Sequence, residues 1–240
     1  MSPILSLAVV AGACVMASLA VTPGCLSLPL TSAQASRARV IGYMPTWKDL
    51  RSTVDRTDLT KLTHVNIAFL NPDASGRLVS AAAPLCMGGA NFDDIRYLVA
   101  AAHRARVQVL VSLGGGVIPT CSGDWQALLQ PENRQSLVDN LLRFATDFDL
   151  DGIDVDLEGV LLTAIDRAGN YTPFIEALAA GLEGSGKLLT CATASYEGGM
   201  IPVESIGWFD FVNIMSYDAI GPSWGEAGAQ HSTYEQSLRH

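Results

Sequence analysis

The sequence predicts an α/β fold built on a parallel sheet, and three observations carry that prediction. From residue 38 onward, short apolar runs bounded by Gly and Pro recur along the chain, as buried parallel strands do. Amphipathic stretches of helical period fall between several of them. Strand and helix alternate repeatedly, with short connections after the first and fifth runs, which implies right-handed crossovers between parallel neighbours. A doubly wound sheet and a closed barrel both satisfy this pattern. No G-x-G-x-x-G follows the first run, so a dinucleotide site is not supported.

The elements follow in order. Residues 40–44 (VIGYM) are the first strand candidate and 64–70 (HVNIAFL) the second. Residues 92–106 place Ile95, Leu98, Val99 and Ala102 at helical spacing. The third strand, 107–113 (VQVLVSL), stops at Gly114-Gly115-Gly116. Pro131 suits the first turn of a helix, and Leu137, Val138, Leu141, Leu142 and Ala145 form its apolar face. Residues 152–157 are the fourth strand. Thr172-Pro173 reads as a cap and first-turn proline for a helix through Leu182, stopped by Gly184 and Gly186. Residues 188–194 and 209–217 are the fifth and sixth strands, and Trp208, just before the sixth, is expected in the core.

Composition bounds the function. Of 240 residues, 49% are hydrophobic and 16% charged, ample for a packed core. The net charge of -9 repels phosphate backbones and argues against a nucleic-acid partner. No charged side chain occurs before Arg37, and residues 4–21 form an apolar run followed by Ala33-Gln34-Ala35. Residues 1–35 therefore read as an export signal, making the product secreted. The rival is a membrane anchor, through an uncleaved segment or through lipidation at Cys25. Cysteines stand at 14, 25, 86, 121 and 191, at spacings matching no zinc pattern. In an exported chain Cys86 and Cys121 could pair, both lying in Gly-rich stretches; unpaired burial is the alternative.

The chemistry concentrates in Asp147 to Gly159, DFDLDGIDVDLEG. Ile153, Val155 and Leu157 alternate with Asp154, Asp156 and Glu158. A strand has side-chain period two, so the apolar residues share one face and the carboxylates the other, roughly 6 to 7 Å apart per step. Three carboxylates on a buried strand repel one another and cost stability unless used or neutralised. An isolated Glu titrates near about 4.3; crowding by Asp156 and Asp154 favours the protonated Glu158 that a general acid requires. Asp147, Asp149, Asp151, Gly152 and Glu158 also fit a calcium-loop pattern. The strand alternation of residues 153–157 argues against it.

Asp151-x-x-Asp154-x-Asp156-x-Glu158 resembles the DxxDxDxE signature of family-18 glycoside hydrolases, the chitinases and endo-N-acetylglucosaminidases. Ser112-Leu113-Gly114-Gly115 resembles the SxGG closing the third strand, and Met215-Ser216-Tyr217-Asp218 the MxYD closing the sixth. Gly42-Tyr43 with Trp47, and Asn66 to Phe69, are similar to the first two strands. The resemblance covers about residues 38 to 240. It implies an α/β fold of (β/α)8 TIM-barrel type, incomplete, with about six of eight units within residues 36–240. The chain stops in what reads as the opening of a helix, so a product truncated after the sixth strand is expected. A partner that completes the barrel and a divergent closure are the alternatives.

The resemblance further implies hydrolysis of chitin or another N-acetylglucosamine glycan by substrate-assisted retention, without metal or cofactor. Glu158 would protonate the glycosidic oxygen. Asp156 would orient the substrate acetamido group and share a proton with Asp154. Tyr217 would hydrogen-bond the same group, with Met215 and Asp218 lining the pocket. Tyr43, Phe69 and Trp47 read as sugar-stacking or as plain rim and core aromatics. Ser112, Gly114 and Gly115 read as structural, as does Asp151, which is out of phase with the other acids. A carbohydrate-binding protein or fragment without catalysis is the alternative function.

Overall fold

The computed structural model of the chain describes residues 38–78, 85–194, 199–217, 228 and 231–239. The signal or anchor reading for residues 1–35, with Cys14 and Cys25, lies outside the described residues, as does Asp218. Six parallel strands form one sheet in sequence order: β1 (Ile41–Pro45), β2 (His64–Leu70), β3 (Gln108–Gly115), β4 (Gly152–Leu157), β5 (Leu188–Thr193) and β6 (Phe211–Ile214). The intervening helices are α1 (Leu50–Arg56), α2 (Phe92–Arg104), α3 (Trp125–Leu128), α4 (Pro131–Asp147), α5 (Gly159–Arg167) and α6 (Tyr171–Leu182), with α7 (Tyr234–Arg239) after β6.

The sheet curls strongly. Six flat strands would hold β1 and β6 roughly 24 Å apart. Instead Asn213 on β6 donates through Nδ2 to the Tyr43 hydroxyl on β1, at 3.4 Å. The result is six units of an incomplete (β/α)8 barrel, as the sequence predicts.

The curl divides the strand faces by polarity. Val65, Ile67, Val109, Val111, Ile153, Val155, Leu157, Leu189 and Cys191 are buried together with the apolar faces of the helices in one core. The opposite face, inside the curl, carries Tyr43, Asn66, Ser112, Asp154 and Thr190: Tyr43 is in register with Asn66, and Ser112, Asp154 and Thr190 are in register across β3 to β5, two residues further along than Asn66. Because the strand period is two, these inner side chains alternate with the outer apolar ones.

Local chemistry sets the helix ends. Asn91 caps α2 by accepting from the Asp93 and Asp94 amides, and Asp94 reaches back to the Asn91 amide, a reciprocal box. Pro131 opens α4, where its missing N–H is not needed. Three expectations are corrected. Asn170, not Thr172, precedes α6, and its side-chain oxygen accepts from Arg134 instead of capping. Phe144, not Leu142, is a fully buried member of the α4 face; Leu142 is half-buried against Gly181. Trp208 is 47% exposed rather than core, because a short 3-10 helix (Val203–Trp208) turns it out ahead of β6. The sixth strand is also shorter than expected, four residues against nine.

The alternation on β4 has a direct test. Ile153 is fully buried on the outer face, so Ile153→Ala should cost about 2–5 kcal/mol in urea unfolding, with little change in the m-value.

Candidate active site

The site is built on the C-terminal end of β4. Asp154 and Asp156 lie on the inner face, and Glu158 follows as the first residue past the strand. Its backbone is still extended (φ −124°, ψ 163°), so the alternation carries through and all three acids share the inner face. On the neighbouring strand, Gly114 is in register with Asp156. Gly114 and Gly115 have φ of +88° and +90°, where side chains are strained. A Cβ on Gly115 would also sit 2.6 Å from the Phe69 ring. A Cβ on Gly114 would lie 2.8 Å from the Asp156 carbonyl oxygen, so both positions require glycine.

Asp154 is fully buried and accepts three hydroxyl hydrogen bonds from three strands. Tyr43 donates to Oδ2 at 2.9 Å, Ser112 to Oδ2 at 2.7 Å and Thr190 to Oδ1 at 2.5 Å. Burial raises its pKa, and the hydroxyls oppose that rise. Asn66 lies close enough to lower both Asp154 and Tyr43. Burial and the two aspartates push the Tyr43 phenol upward, which keeps it a donor.

Asp156 behaves differently. It is buried, and burial, the charges of Glu158 and Asp154, and a hydrogen bond with Glu158 raise it from 3.8 to about 8. Two carboxylates hydrogen-bond each other only with a proton between them, so this contact favours the protonated form of Asp156. The sequence expectation pairs Asp156 with Asp154; in this arrangement the hydrogen bond that raises Asp156 is the one with Glu158. Both oxygens of Asp154 are occupied by hydroxyls, and Asp156 turns to Glu158. The second oxygen of Asp156, Oδ1, is buried with no hydrogen-bond partner among the described residues.

These acids open into a cleft of about 390 Å³ lined by Tyr43, Trp47, Phe69, Asp156, Glu158, Met215 and Tyr217, among others. The structure thus gathers eight of the nine candidate catalytic and substrate-binding residues at one site, Asp154 directly beneath Tyr43; the ninth is Asp218. Trp47 is 60% exposed and stacks on Phe69 at 6.1 Å. Tyr217 stacks on His231. Thr190 and Asn213 were missed by sequence reasoning. The strand period alone would put Thr190 on one face of β5, but only the register with β4 shows that this face meets Asp154.

Asp151 lies apart, at the entrance of β4. Its carboxylate meets His103 Nε2 at 2.8 Å and accepts from the Val109 amide at 2.7 Å, joining α2, β3 and β4. The calcium-loop alternative fails here, because residues 152–157 are a buried strand. Cys86 and Cys121 form a disulfide that ties the stretch after β2 to the loop after β3.

A profile described as Glycosyl hydrolases family 18 matches residues 39–239. A chitinase-like effector of Moniliophthora roreri is 27% identical over 206 residues, covering 81% of this chain and 48% of that protein. The GH18 chitinase ChiB of Flavobacterium johnsoniae superimposes with a TM-score of 0.67 at 36% identity, covering 84% of this chain and 61% of that one. A class V chitinase variant of Nicotiana tobaccum in complex with NAG4 superimposes with a TM-score of 0.59 at 26% identity, covering 77% and 54%. The chain spans about half the length of the curated relative, 48%.

The raised Asp156 pKa has a thermodynamic consequence. The folded chain keeps a proton up to about pH 8 that an unfolded Asp loses near about 3.9. The associated stability is complete below that lower value and is lost as pH rises toward 8. Asp156→Asn carries no such proton. In thermal melts at pH 5, 6.5 and 8, the variant should gain on the parent chain steadily as pH rises; a constant difference would contradict the assignment.

Proposed function

The chain belongs to family 18 of the glycosyl hydrolases, and from that premise we propose that it hydrolyses the β-1,4 links of chitin with retention, Glu158 serving as general acid and then base. The observation that carries the reading is the hydrogen-bonded Asp156–Glu158 pair opening into an aromatic-walled cleft. One proton on that pair suffices for the first step. Glu158 delivers it to the glycosidic oxygen as the bond from that oxygen to the anomeric carbon breaks. The substrate's own acetamido carbonyl oxygen bonds to the anomeric carbon, giving an oxazolinium-like intermediate. The acetamido N–H donates to Asp156, whose Oδ1 is a buried acceptor without a partner among the described residues. The positive charge formed next to it is stabilised by the carboxylates. Glu158 then takes a proton from water as the water oxygen attacks the anomeric carbon and reopens the ring, with net retention.

The remaining residues take supporting roles. The hydroxyls of Tyr43, Ser112 and Thr190 fix Asp154, and Asp154 sets the charge beneath Asp156. Tyr217 and Met215 line the acetamido side, and Trp47 and Phe69 offer a stacking wall. Residues 1–35 and the Cys86–Cys121 disulfide support export to an oxidising compartment. Similarity to a protein named a chitinase-like effector favours a second reading, glycan binding without turnover; the retained Glu158 opposes it.

Release of reducing ends from colloidal chitin decides between the two. The proposal predicts turnover that falls about 10²–10⁴-fold in Glu158→Gln, with chitin binding retained. No release above the chitin-only background from either chain, with binding to chitin, would establish the second reading. The pH dependence is also specified. Because the pair must hold a proton, kcat/KM should decline as pH passes about 8, and a profile flat from pH 6 to 10 would contradict it.

A further inference from the structure

At the opposite end of the strands from the cleft lies a cavity of about 540 Å³, within the roughly 300–1,000 Å³ of sites that take small ligands. Its walls are the end of α6, the first residues of β5 and the approach to β6. Leu188, in its lining, is in register with Gly152 at the start of β4, whereas Glu158 follows the end of that strand. The six residues of β4 separate the two places by roughly 20 Å. Among the described residues, none lines both.

One wall is the Trp208 indole, with Trp208 47% exposed. Asp210, two residues on, fixes the backbone behind it. The Asp210 amide donates to the Leu189 carbonyl at 2.8 Å, and the Leu189 amide donates to Asp210 Oδ2 at 2.8 Å. Gly184 and Gly186 line the same cavity, and a Cβ on either would meet nothing within 4 Å, so that side stays open. The charged groups of the lining are Glu183, Lys187 and Asp210. The Lys187 ammonium donates to the Leu150 carbonyl. Glu183 is exposed, and among the described residues its carboxylate has no ion pair and no hydrogen bond.

An exposed indole beside an unused acceptor suits a sugar ring. The C–H face leaves water against the aromatic face, while hydroxyl and amide N–H groups keep hydrogen bonds. The two carboxylates oppose an anion and the Lys187 ammonium opposes a cation, so the lining favours a neutral, hydroxyl-rich ligand. Resting on the reading above for the identity of the polymer, we propose that this cavity is a second, non-catalytic carbohydrate site. The Trp208 indole stacks on one ring of an N-acetylglucosamine chain, and Glu183 accepts from its hydroxyl or amide N–H groups. A platform on a fixed backbone loses little freedom on binding. A polymer engaged both here and in the cleft is held by avidity, so the site serves retention on an insoluble substrate and takes no part in bond cleavage.

The test is equilibrium binding to colloidal chitin by the full chain carrying Glu158→Gln, which removes turnover, compared with the same chain also carrying Trp208→Ala or Trp208→Phe. The expected result is binding about fivefold weaker with Trp208→Ala, most of it regained with Trp208→Phe. The difference should persist in about 1 M salt, where charge attraction is screened. In the chain that keeps Glu158, Trp208→Ala should leave kcat/KM on soluble tri-N-acetylchitotriose unchanged. Equal chitin binding with and without the indole would overturn the second site and leave the chitinase reading intact. So would a difference that vanishes in salt or is not regained by Trp208→Phe, or the absence of chitin binding by Glu158→Gln itself. A fall in trimer turnover in step with chitin binding would mark a structural effect and overturn the site as well. If the trimer is not hydrolysed at all, the chitinase reading fails, while the binding comparison still decides the second site.

Discussion

The buried carboxylate of Asp154 is the constraint on which the inner face is organised. A charge taken out of water must be met by donors or it shifts toward its neutral form. Here the donors are the hydroxyls of Tyr43, Ser112 and Thr190, from β1, β3 and β5. Three alternate strands can aim at one atom group only if the sheet curls around it, as in the layered interior of a (β/α)8 barrel. The Asn213 contact to Tyr43 brings β6 into the same ring. One buried acid thus connects strand alternation, sheet curvature and the position of the residues proposed to act in catalysis.

Above that layer the same electrostatics is turned to chemistry. Asp156 and Glu158 are one strand period apart and too close for both to ionise freely. The arrangement stores a proton at the mouth of the cleft at the expense of stability near neutral pH. A fold that sought stability alone would replace this pair with apolar residues, as buried ion clusters often permit. Its retention beside an aromatic-walled cleft is what the proposed proton transfer requires.

Much of this was legible in the sequence because it depends on local periods. The acids of 154, 156 and 158 declare their shared face by alternating with Ile153, Val155 and Leu157, and the glycines after β3 declare a turn. What depends on register was not legible. Thr190 and Asn213 become partners of the site only through pairing of β5 with β4 and the closure of β6 toward β1. Competing local signals account for other differences: Thr172-Pro173 looked like a helix start, but Pro is tolerated anywhere in a first turn, and Asn170 precedes it. An aromatic just before a strand suggested burial for Trp208, yet the 3-10 helix carrying it faces outward. The Cys86–Cys121 pairing needed the loops' spatial proximity, which spacing cannot supply.

The central claim is that Asp156 and Glu158 hold a single proton between them at neutral pH. Infrared difference spectroscopy of the carboxyl stretch, titrated on the intact chain and on Asp156→Asn, measures this most directly. The account predicts a protonated carboxyl band in the intact chain that persists at pH 7 and disappears as pH passes about 8, and that is altered in the variant. A spectrum in which every carboxyl is already ionised at pH 6 would contradict it.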